Sequence, residues 1–308
     1  MTKRVQIDNM NLSATSKFSA WAPVGVGALV SSGSVTVALG KALTSHDVAD
    51  VAELGHEVVV DGSLSELMDS IAPSGCVSAE AILAMGEKSI SSDVVAKAHN
   101  LSICRAALFG SIVSFAAGRN GRIREEIVDL LVDMINSDVV PVFTSDAAAG
   151  KELALCLVGS TKARVYTSSG ATDAATGLAA AGLKAIQLAK TEVATMLKGK
   201  FLSVGGGCLL AAGAANLLNI AGAGSALCCE VIGGNLGTAF DAEQFETGRQ
   251  HRGQVNAAQG MKAMLSGSQR VKFTTAEQKG KQAAVVVSDE VLSVLQTIPE
   301  VHGPAHGA

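Results

Sequence analysis

The chain has 308 residues, 48% of them hydrophobic and 17% charged, which predicts a soluble globular protein with a large core. Its formal net charge is −4, its charges are interspersed, and it has one Trp and one Tyr. Neither a basic stripe nor an aromatic stacking platform is present, which argues against nucleic acid as a partner. The six cysteines form no CxxC pair, and Met1 to Ser16 carry no export signal, so we expect a cytoplasmic protein.

The N-terminal part is expected to hold an arm followed by a small α/β unit. Residues 1–33 are rich in Ser, Gly and Val and have no periodicity, which is typical of an arm or loop. The β-type runs SVTVALG (34–40) and HEVVVDG (56–62) flank a helical stretch at 45–54 with a Ser/Asp cap signal. The sequence therefore predicts a strand–helix–strand unit over 34–62.

The remainder, 63–308, is predicted to be a helical bundle, which makes the fold class mainly α. The clearest amphipathic helix is 123–138, which we expect Pro141 to end. The loop 140–152, another apolar helix, a hairpin near 163–170 and long Ala/Leu/Gly-rich helices to about 232 follow. Residues 276–295 have a helical pattern, whereas the Gly/Pro-rich end from Ile298 predicts irregular structure.

The stretch 201–234 is apolar on every face. A helix of this kind must be buried on every face, and a chain of this size has few helices to surround it. We therefore expect a homo-oligomer in which sister subunits complete the core. A membrane span is the alternative, but Asn216 and Asn219 interrupt the stretch, and it would be one isolated span without basic flank asymmetry.

Several stretches resemble the histidine and phenylalanine ammonia-lyase family, in the same order and at similar spacing. They include AHNLSICRA (98–106), GRNGRIREEIVDLLVDMINSDVVPV (118–142), CEVIGGNLGTAFD (229–241) and IPEVHG (298–303). The resemblance runs from about Ser34 to the end of the chain. It implies an ammonia-lyase-like helical bundle whose core is completed by oligomerisation, with a tetramer favoured.

The family's electrophile is a methylidene-imidazolone ring made from Ala-Ser-Gly, and that triad is missing here. The aligned loop reads Phe143-Thr144-Ser145-Asp146. A shifted alternative, Ala148-Ala149-Gly150, lacks the Ser whose dehydration leaves the methylidene. The family's Tyr-bearing loop has no counterpart before Ala98. We therefore expect no cofactor and no standard ammonia elimination.

The resemblance implies that the substituted positions converge on one pocket shared between subunits. The catalytic candidates are Ser145, Asp146, Lys198, Glu290 and Ser293, the substrate-binding candidates are Arg105, Asn100 and Gln296, and no metal ligand is expected. Arg105 and Lys198 suit an anionic ligand such as a carboxylate, and Asp146 or Glu290 could move a proton. Equally, these charges could be solvated or paired with one another, and Lys198-Gly199-Lys200 could be an ordinary helix terminus. His99 and His251 lack metal-ligand spacing and are expected to be structural.

Three functional hypotheses follow. The first is an enzyme that keeps the family's pocket but performs another acid/base reaction (elimination, addition, cyclisation or isomerisation) on a small anionic or amino-acid-derived molecule. The second is a non-catalytic protein, either a pseudoenzyme or one subunit of a split lyase whose missing half is a second lyase-like chain. The third, a membrane-embedded protein, is the weakest. Arg105 and Lys198 at former catalytic positions favour the enzyme.

Overall fold

The computed structural model describes residues 33–38, 42–62, 64, 75–85, 98–117, 123–236, 240, 251–273 and 288–306. Helices dominate this part of the chain, as predicted. They are α1 (Ser45–Glu53), α2 (Ala79–Ala84), α3 (Leu101–Ala116), α4 (Glu125–Asn136), α5 (Asp146–Leu157), α6 (Ala174–Ala180), α7 (Lys190–Met196), α8 (Phe201–Ile232), α9 (Arg252–Met264), α10 (Asp289–Gln296) and α11 (Ile298–His306). The strands are β1 (Ser34–Val37), β2 (Glu57–Val60), β3 (Cys76–Val77), β4 (Val140–Pro141), β5 (Arg164–Thr167), β6 (Gly170–Asp173), β7 (Leu188–Ala189), β8 (Gly234–Asn235) and β9 (Val271–Lys272). The predicted arm up to residue 32 and the helical pattern before Ser288 lie outside the described residues.

The predicted strand–helix–strand unit is present. Strands β1 and β2 pair in parallel, with Ser34 opposite Glu57. Helix α1 connects them and begins at a capping box in which Thr44 and Asp47 satisfy each other's backbone N–H groups. Because α1 buries its apolar stripe and packs against α3, the start of α1 and the end of α3 are held in fixed positions.

The chain divides into two compact units, Leu29–Ala212 and the residues from Gly213 onward. The first has the larger core, which includes the fully buried side chains of Phe109, Phe115 and Phe143. The second has its own smaller core around Phe240, Met261 and other apolar residues of α8 and α9. Each unit therefore buries an apolar cluster of its own.

Helix α4 confirms the amphipathic helix but ends earlier than predicted. Its last residue is Asn136, and Asp138 has a φ of 57°, a left-handed conformation that terminates a helix. Pro141 does not end the helix but lies in β4, which pairs with β5. The predicted hairpin is present as β5 and β6, and β4 extends it to three strands.

The predicted loop 140–152 is much shorter in the structure, because α5 already begins at Asp146. Gly150 lies at the crossing of α5 and α7, where an added Cβ would meet the backbone of Met196 and Leu197. The triplet Ala148-Ala149-Gly150 is therefore a buried helical segment and not part of a loop.

Helix α8 confirms the predicted long apolar helix, and much of its surface is exposed in the single chain. Together with the segment from Lys190, it is long and apolar enough to cross a membrane. Large exposed side chains occur along its length, with Leu210 76% exposed and Ile220 68% exposed. A single chain therefore leaves a large apolar surface exposed on α8.

The expectation of an irregular C-terminal end is wrong, because Ile298–His306 forms α11. Pro299 lies in the first turn, where a missing N–H costs little. Gly303 faces α9 so closely that a Cβ would lie 2.7 Å from the backbone nitrogen of Gln254. Packing against α9 therefore outweighs the low helix propensity of Gly303 and Pro304.

Candidate functional site

A cavity of about 700 Å³ opens between the start of α1, the end of α3 and the beginning of α8. Its walls are mainly apolar. They include Val48, Phe109, Val113, Phe201 and Val204, and the polar groups come from Thr44, Ser45, Ser114, Lys198, Lys200 and Cys208. All of these residues belong to the unit Leu29–Ala212. Its size lies within the range of about 300–1,000 Å³ that is typical of small-molecule sites.

Lys198 and Lys200 reach the cavity because α7 and α8 are joined by a tight turn. Helix α7 ends at Met196, and the Gly199 N–H donates to the Met196 carbonyl over 3.1 Å. A Cβ on Gly199 would collide with the ring of Phe201, which itself packs edge-on against Phe115 at 5.3 Å. Lys198, Gly199 and Lys200 therefore lie at a helix terminus, which is one of the two interpretations of the sequence. This terminus also forms part of the cavity wall.

Asp146 connects the first turn of α5 to the first turn of α8. It accepts hydrogen bonds from the Ser203 backbone N–H over 3.0 Å and from the Ser203 hydroxyl. This carboxylate therefore serves one of the N–H groups that a helix leaves unpaired at its beginning. Ser145 precedes α5 as its N-cap residue. Neither Ser145 nor Asp146 is among the described residues that line the cavity.

Arg105 is not among the described residues that line the cavity. Its guanidinium forms an ion pair with Asp138 and donates to the Ile135 carbonyl over 3.2 Å. It thus binds the end of α4, where Asp138 adopts its left-handed conformation. Asn100 is the N-cap of α3 and accepts from the Ile103 N–H over 2.9 Å. Both contacts are structural, and the substrate-binding roles of these two residues stay predictions.

The other three candidates lie on α10, in the unit that begins at Gly213. Glu290 and Ser293 are exposed, and Gln296 is the last residue of the helix. Their catalytic and binding roles also stay predictions. His251 is the N-cap of α9, where its Nδ1 accepts from the Gln254 N–H over 3.3 Å. Within the described ranges, no group of three His, Cys, Asp or Glu residues is arranged to hold a metal ion.

Sequence reasoning missed a buried polar group beside the loop that aligns with the family's Ala-Ser-Gly triad. Glu152, which is 3% exposed, accepts hydrogen bonds from the Thr144 N–H (3.1 Å) and hydroxyl (2.6 Å). Burial raises the pKa of Glu152, against the lowering effect of both hydrogen bonds. Burial also raises the pKa of the nearby Cys104 thiol to about 11. No motif marks Glu152 in the sequence, because its partner is eight residues earlier and its burial depends on the tertiary fold.

Glu152 should make stability pH-dependent, and Glu152→Gln should remove that dependence. The folded pKa lies above the ordinary value of 4.5, so the folded chain binds the proton more tightly than the unfolded chain. The contribution of Glu152 to stability is therefore highest below pH 4.5 and falls as pH rises above it. Each unit of pKa difference is worth about 1.4 kcal/mol.

The measurement is urea unfolding at several pH values. The free energy of unfolding of Glu152→Gln relative to the parent should increase from acidic to neutral pH. Glu53→Gln is the matched control, because Glu53 is exposed. Parallel pH curves for the parent and Glu152→Gln would show that the buried carboxyl does not titrate in this range.

Residues 41–308 match the family described as aromatic amino acid lyase. The histidine ammonia-lyase of Treponema denticola is 28% identical over 304 residues, which cover 87% of this chain and 56% of the relative. The histidine ammonia-lyase of Koribacter versatilis is 30% identical over 209 residues, covering 65% of this chain and 38% of the relative. The chain thus spans between 38% and 56% of the length of these relatives.

Solved structures share the same helical fold. The tyrosine aminomutase from Streptomyces globisporus superposes with a TM-score of 0.65 at 21% identity, covering 88% of this chain and 58% of that one. Phenylalanine ammonia-lyase from Rhodosporidium toruloides superposes with a TM-score of 0.64 at 18% identity, covering 88% of this chain and 45% of that one. The mainly α, ammonia-lyase-like fold predicted from the sequence is confirmed.

Proposed function

Because the chain belongs to the aromatic amino acid lyase family, we propose that it is a cytoplasmic enzyme acting on a small anionic or amino-acid-derived molecule. The reaction would be acid/base chemistry, such as an elimination, addition, cyclisation or isomerisation. The observation that carries the proposal is the cavity beside Lys198, a position that the family resemblance had singled out. An apolar enclosure with a few polar groups at its edge is the usual form of a small-molecule site.

The proposed reaction does not use the family's electrophile, because the residues present do not fit it. Closing the ring needs a backbone nitrogen to attack a carbonyl two residues earlier, and the methylidene comes from a serine. The aligned loop, Phe143-Thr144-Ser145-Asp146, does not contain the Ala-Ser-Gly triad. In the shifted alternative, Ala149 stands where the serine is needed, and Gly150 is packed inside α5 against the backbone of Met196. A buried regular helix holds these groups in hydrogen bonds instead of exposing them as a loop.

Lys198 is the residue most suited to fix the anionic group of the substrate. Its side chain is exposed at the cavity and, among the described residues, forms no hydrogen bond or ion pair. An ammonium group there is free to pair with a carboxylate or phosphate. Proton transfer by Asp146, Ser145, Glu290 or Ser293 stays a proposal drawn from the family resemblance. None of the four is among the described residues that line the cavity, and the Asp146 carboxylate accepts a hydrogen bond at the start of α8.

Acid/base chemistry can be tested without knowing the reaction. Carboxylates and amino acids are incubated with the protein in deuterated water, and incorporation of deuterium at carbon is followed by NMR. Exchange or product formation that depends on the protein supports the enzyme. Binding without exchange or product for every compound would instead indicate the non-catalytic alternative.

Lys198→Ala should weaken the binding of anionic ligands about fivefold, since a partly exposed ion pair contributes up to roughly 1 kcal/mol. The measurement is ligand-dependent stabilisation in thermal unfolding. Lys184→Ala removes an exposed lysine outside the cavity and controls for the change in net charge. Equal loss of affinity in both variants would mean that the effect is non-specific.

We also propose that α8 packs against further copies of this chain. Its most exposed large apolar residues are Leu210, Leu217, Ile220, Leu227 and Val231. They are spaced by seven, three, seven and four residues, the heptad pattern of helices that pack in left-handed coils. Covering each such side chain contributes about 1.5–3 kcal/mol, so the exposed pattern supports a homo-oligomer. The preference for a tetramer comes from the family resemblance.

Ile220→Lys should therefore dissociate the assembly, because it places a charge within this heptad pattern. The molar mass of the purified protein, measured by light scattering, should fall from that of an oligomer to 31.1 kDa. Ala180→Lys adds the same charge at an exposed position of α6 and should leave the assembly intact. A parent protein that is monomeric until a second lyase-like chain is added would favour the split-enzyme alternative.

A further inference from the structure

The charged residues among the described lining of the cavity are all cationic. Lys198 and Lys200 contribute two cations to its lining, and none of its described lining residues is Asp or Glu. The carboxylates of Asp47 in α1 and Asp146 in α5 already accept hydrogen bonds at the beginnings of helices. Asp47 accepts from the Thr44 N–H over 2.7 Å and from its hydroxyl over 2.9 Å, and Asp146 accepts from Ser203.

The remaining polar lining groups are neutral. Thr44 is engaged in the capping box of α1, and the other uncharged polar residues of the lining are Ser45, Ser114 and Cys208. A ligand ammonium in this cavity would face two lysines without a compensating carboxylate. Its repulsion from them would offset the attraction of its carboxylate.

We infer that this site takes apolar carboxylates that lack an ammonium group, and that it discriminates against the corresponding α-amino acids. The inference rests on the proposed function, because it names the substrate class of the same cavity. The lysines fix the carboxylate, and Phe109, Val113 and Phe201 enclose the apolar body. We expect the deaminated acid to bind at least about tenfold more tightly than its amino acid.

Cys208 gives a direct readout, because it is half-buried and lines the cavity. Alkylation of Cys208 by iodoacetamide is followed by peptide mass spectrometry in the presence of matched pairs. The pairs are 3-phenylpropanoate with phenylalanine, and hexanoate with 2-aminohexanoate. The exposed thiols Cys76 and Cys228 serve as internal controls, since no cavity ligand should alter their labelling.

The expected result is that a deaminated acid slows alkylation of Cys208 at about tenfold lower concentration than its amino acid. Lys198→Ala should reduce this protection about fivefold, whereas Lys184→Ala should leave it unchanged. Equal or better protection by the amino acids would overturn the inference and leave the proposed function standing. If neither member of either pair protects Cys208, both the inference and the proposed use of this cavity fail.

Discussion

Gly205→Ala is expected to destabilise the protein by about 3 kcal/mol, the upper part of the range for overpacking a close contact. A Cβ on Gly205 would lie 2.6 Å from the backbone nitrogen of Ala107 and 2.7 Å from the carbonyl carbon of Ala106. Both atoms belong to the backbone of α3, so no side chain can rotate away. Relief requires α3 and α8 to separate, which breaks contacts throughout their interface.

The neighbouring glycines provide the control within the same triplet. A Cβ on Gly206 or Gly207 would have no atom of another element within 4 Å. Replacing glycine by alanine within a helix stabilises it by up to about 1 kcal/mol when nothing obstructs the methyl group. Urea unfolding should therefore give opposite signs for Gly205→Ala and Gly207→Ala. Equal effects at the three positions would contradict the close approach of α3 and α8.

The same crossing forms part of the cavity, which connects stability with function. Phe109 and Val113 of α3 face Val204 and Cys208 of α8 across it. A separation of these helices would widen the cavity and move Lys198 relative to its apolar walls. Gly205→Ala should therefore also weaken the binding of small carboxylates, while Gly207→Ala should not.

The sequence was sufficient to predict individual elements but not their termini or contacts. The β-type run 34–40 and the three- and four-residue spacing of 123–138 predicted a strand and a helix that are present as β1 and α4. The predicted ends of helices were wrong where a local backbone conformation or a contact with a distant residue determines them. The left-handed Asp138 ends α4, and packing against α9 keeps the Gly/Pro-rich segment from Ile298 helical.

The site was also predictable only in part, because some of its contacts join residues that are distant in the sequence. Lys198 was found through its place in the family motif, and it does line a cavity. The engagement of Arg105 with Asp138 and of Asp146 with Ser203 could not be anticipated, because their partners lie 33 and 57 residues away in the sequence. A charged residue at a position that aligns with a family motif can equally be a structural contact, and only the tertiary fold distinguishes the two.

Arg124→Met should cost about 3–5 kcal/mol, since it leaves a buried carboxylate without its cation. Arg124 is 8% exposed and Glu192 4% exposed, and their Nε and Oε1 atoms are 2.7 Å apart. The guanidinium also donates to the Gln187 carbonyl over 2.6 Å. It therefore joins the beginning of α4 to the segment that leads into β7 and α7. The free energy of unfolding from urea titration measures the loss.

Two further variants separate the buried pair from its exposed neighbour. Glu126, whose side chain is 60% exposed, also pairs with Arg124, so Glu126→Gln should change stability by less than about 1 kcal/mol. Glu192→Gln added to Arg124→Met removes the isolated charge and keeps an acceptor for the Ala189 N–H, which Glu192 binds over 2.7 Å. The double variant should therefore be more stable than Arg124→Met alone. If Arg124→Met costs no more than Glu126→Gln, the burial of this pair does not control the stability of the α4–α7 contact.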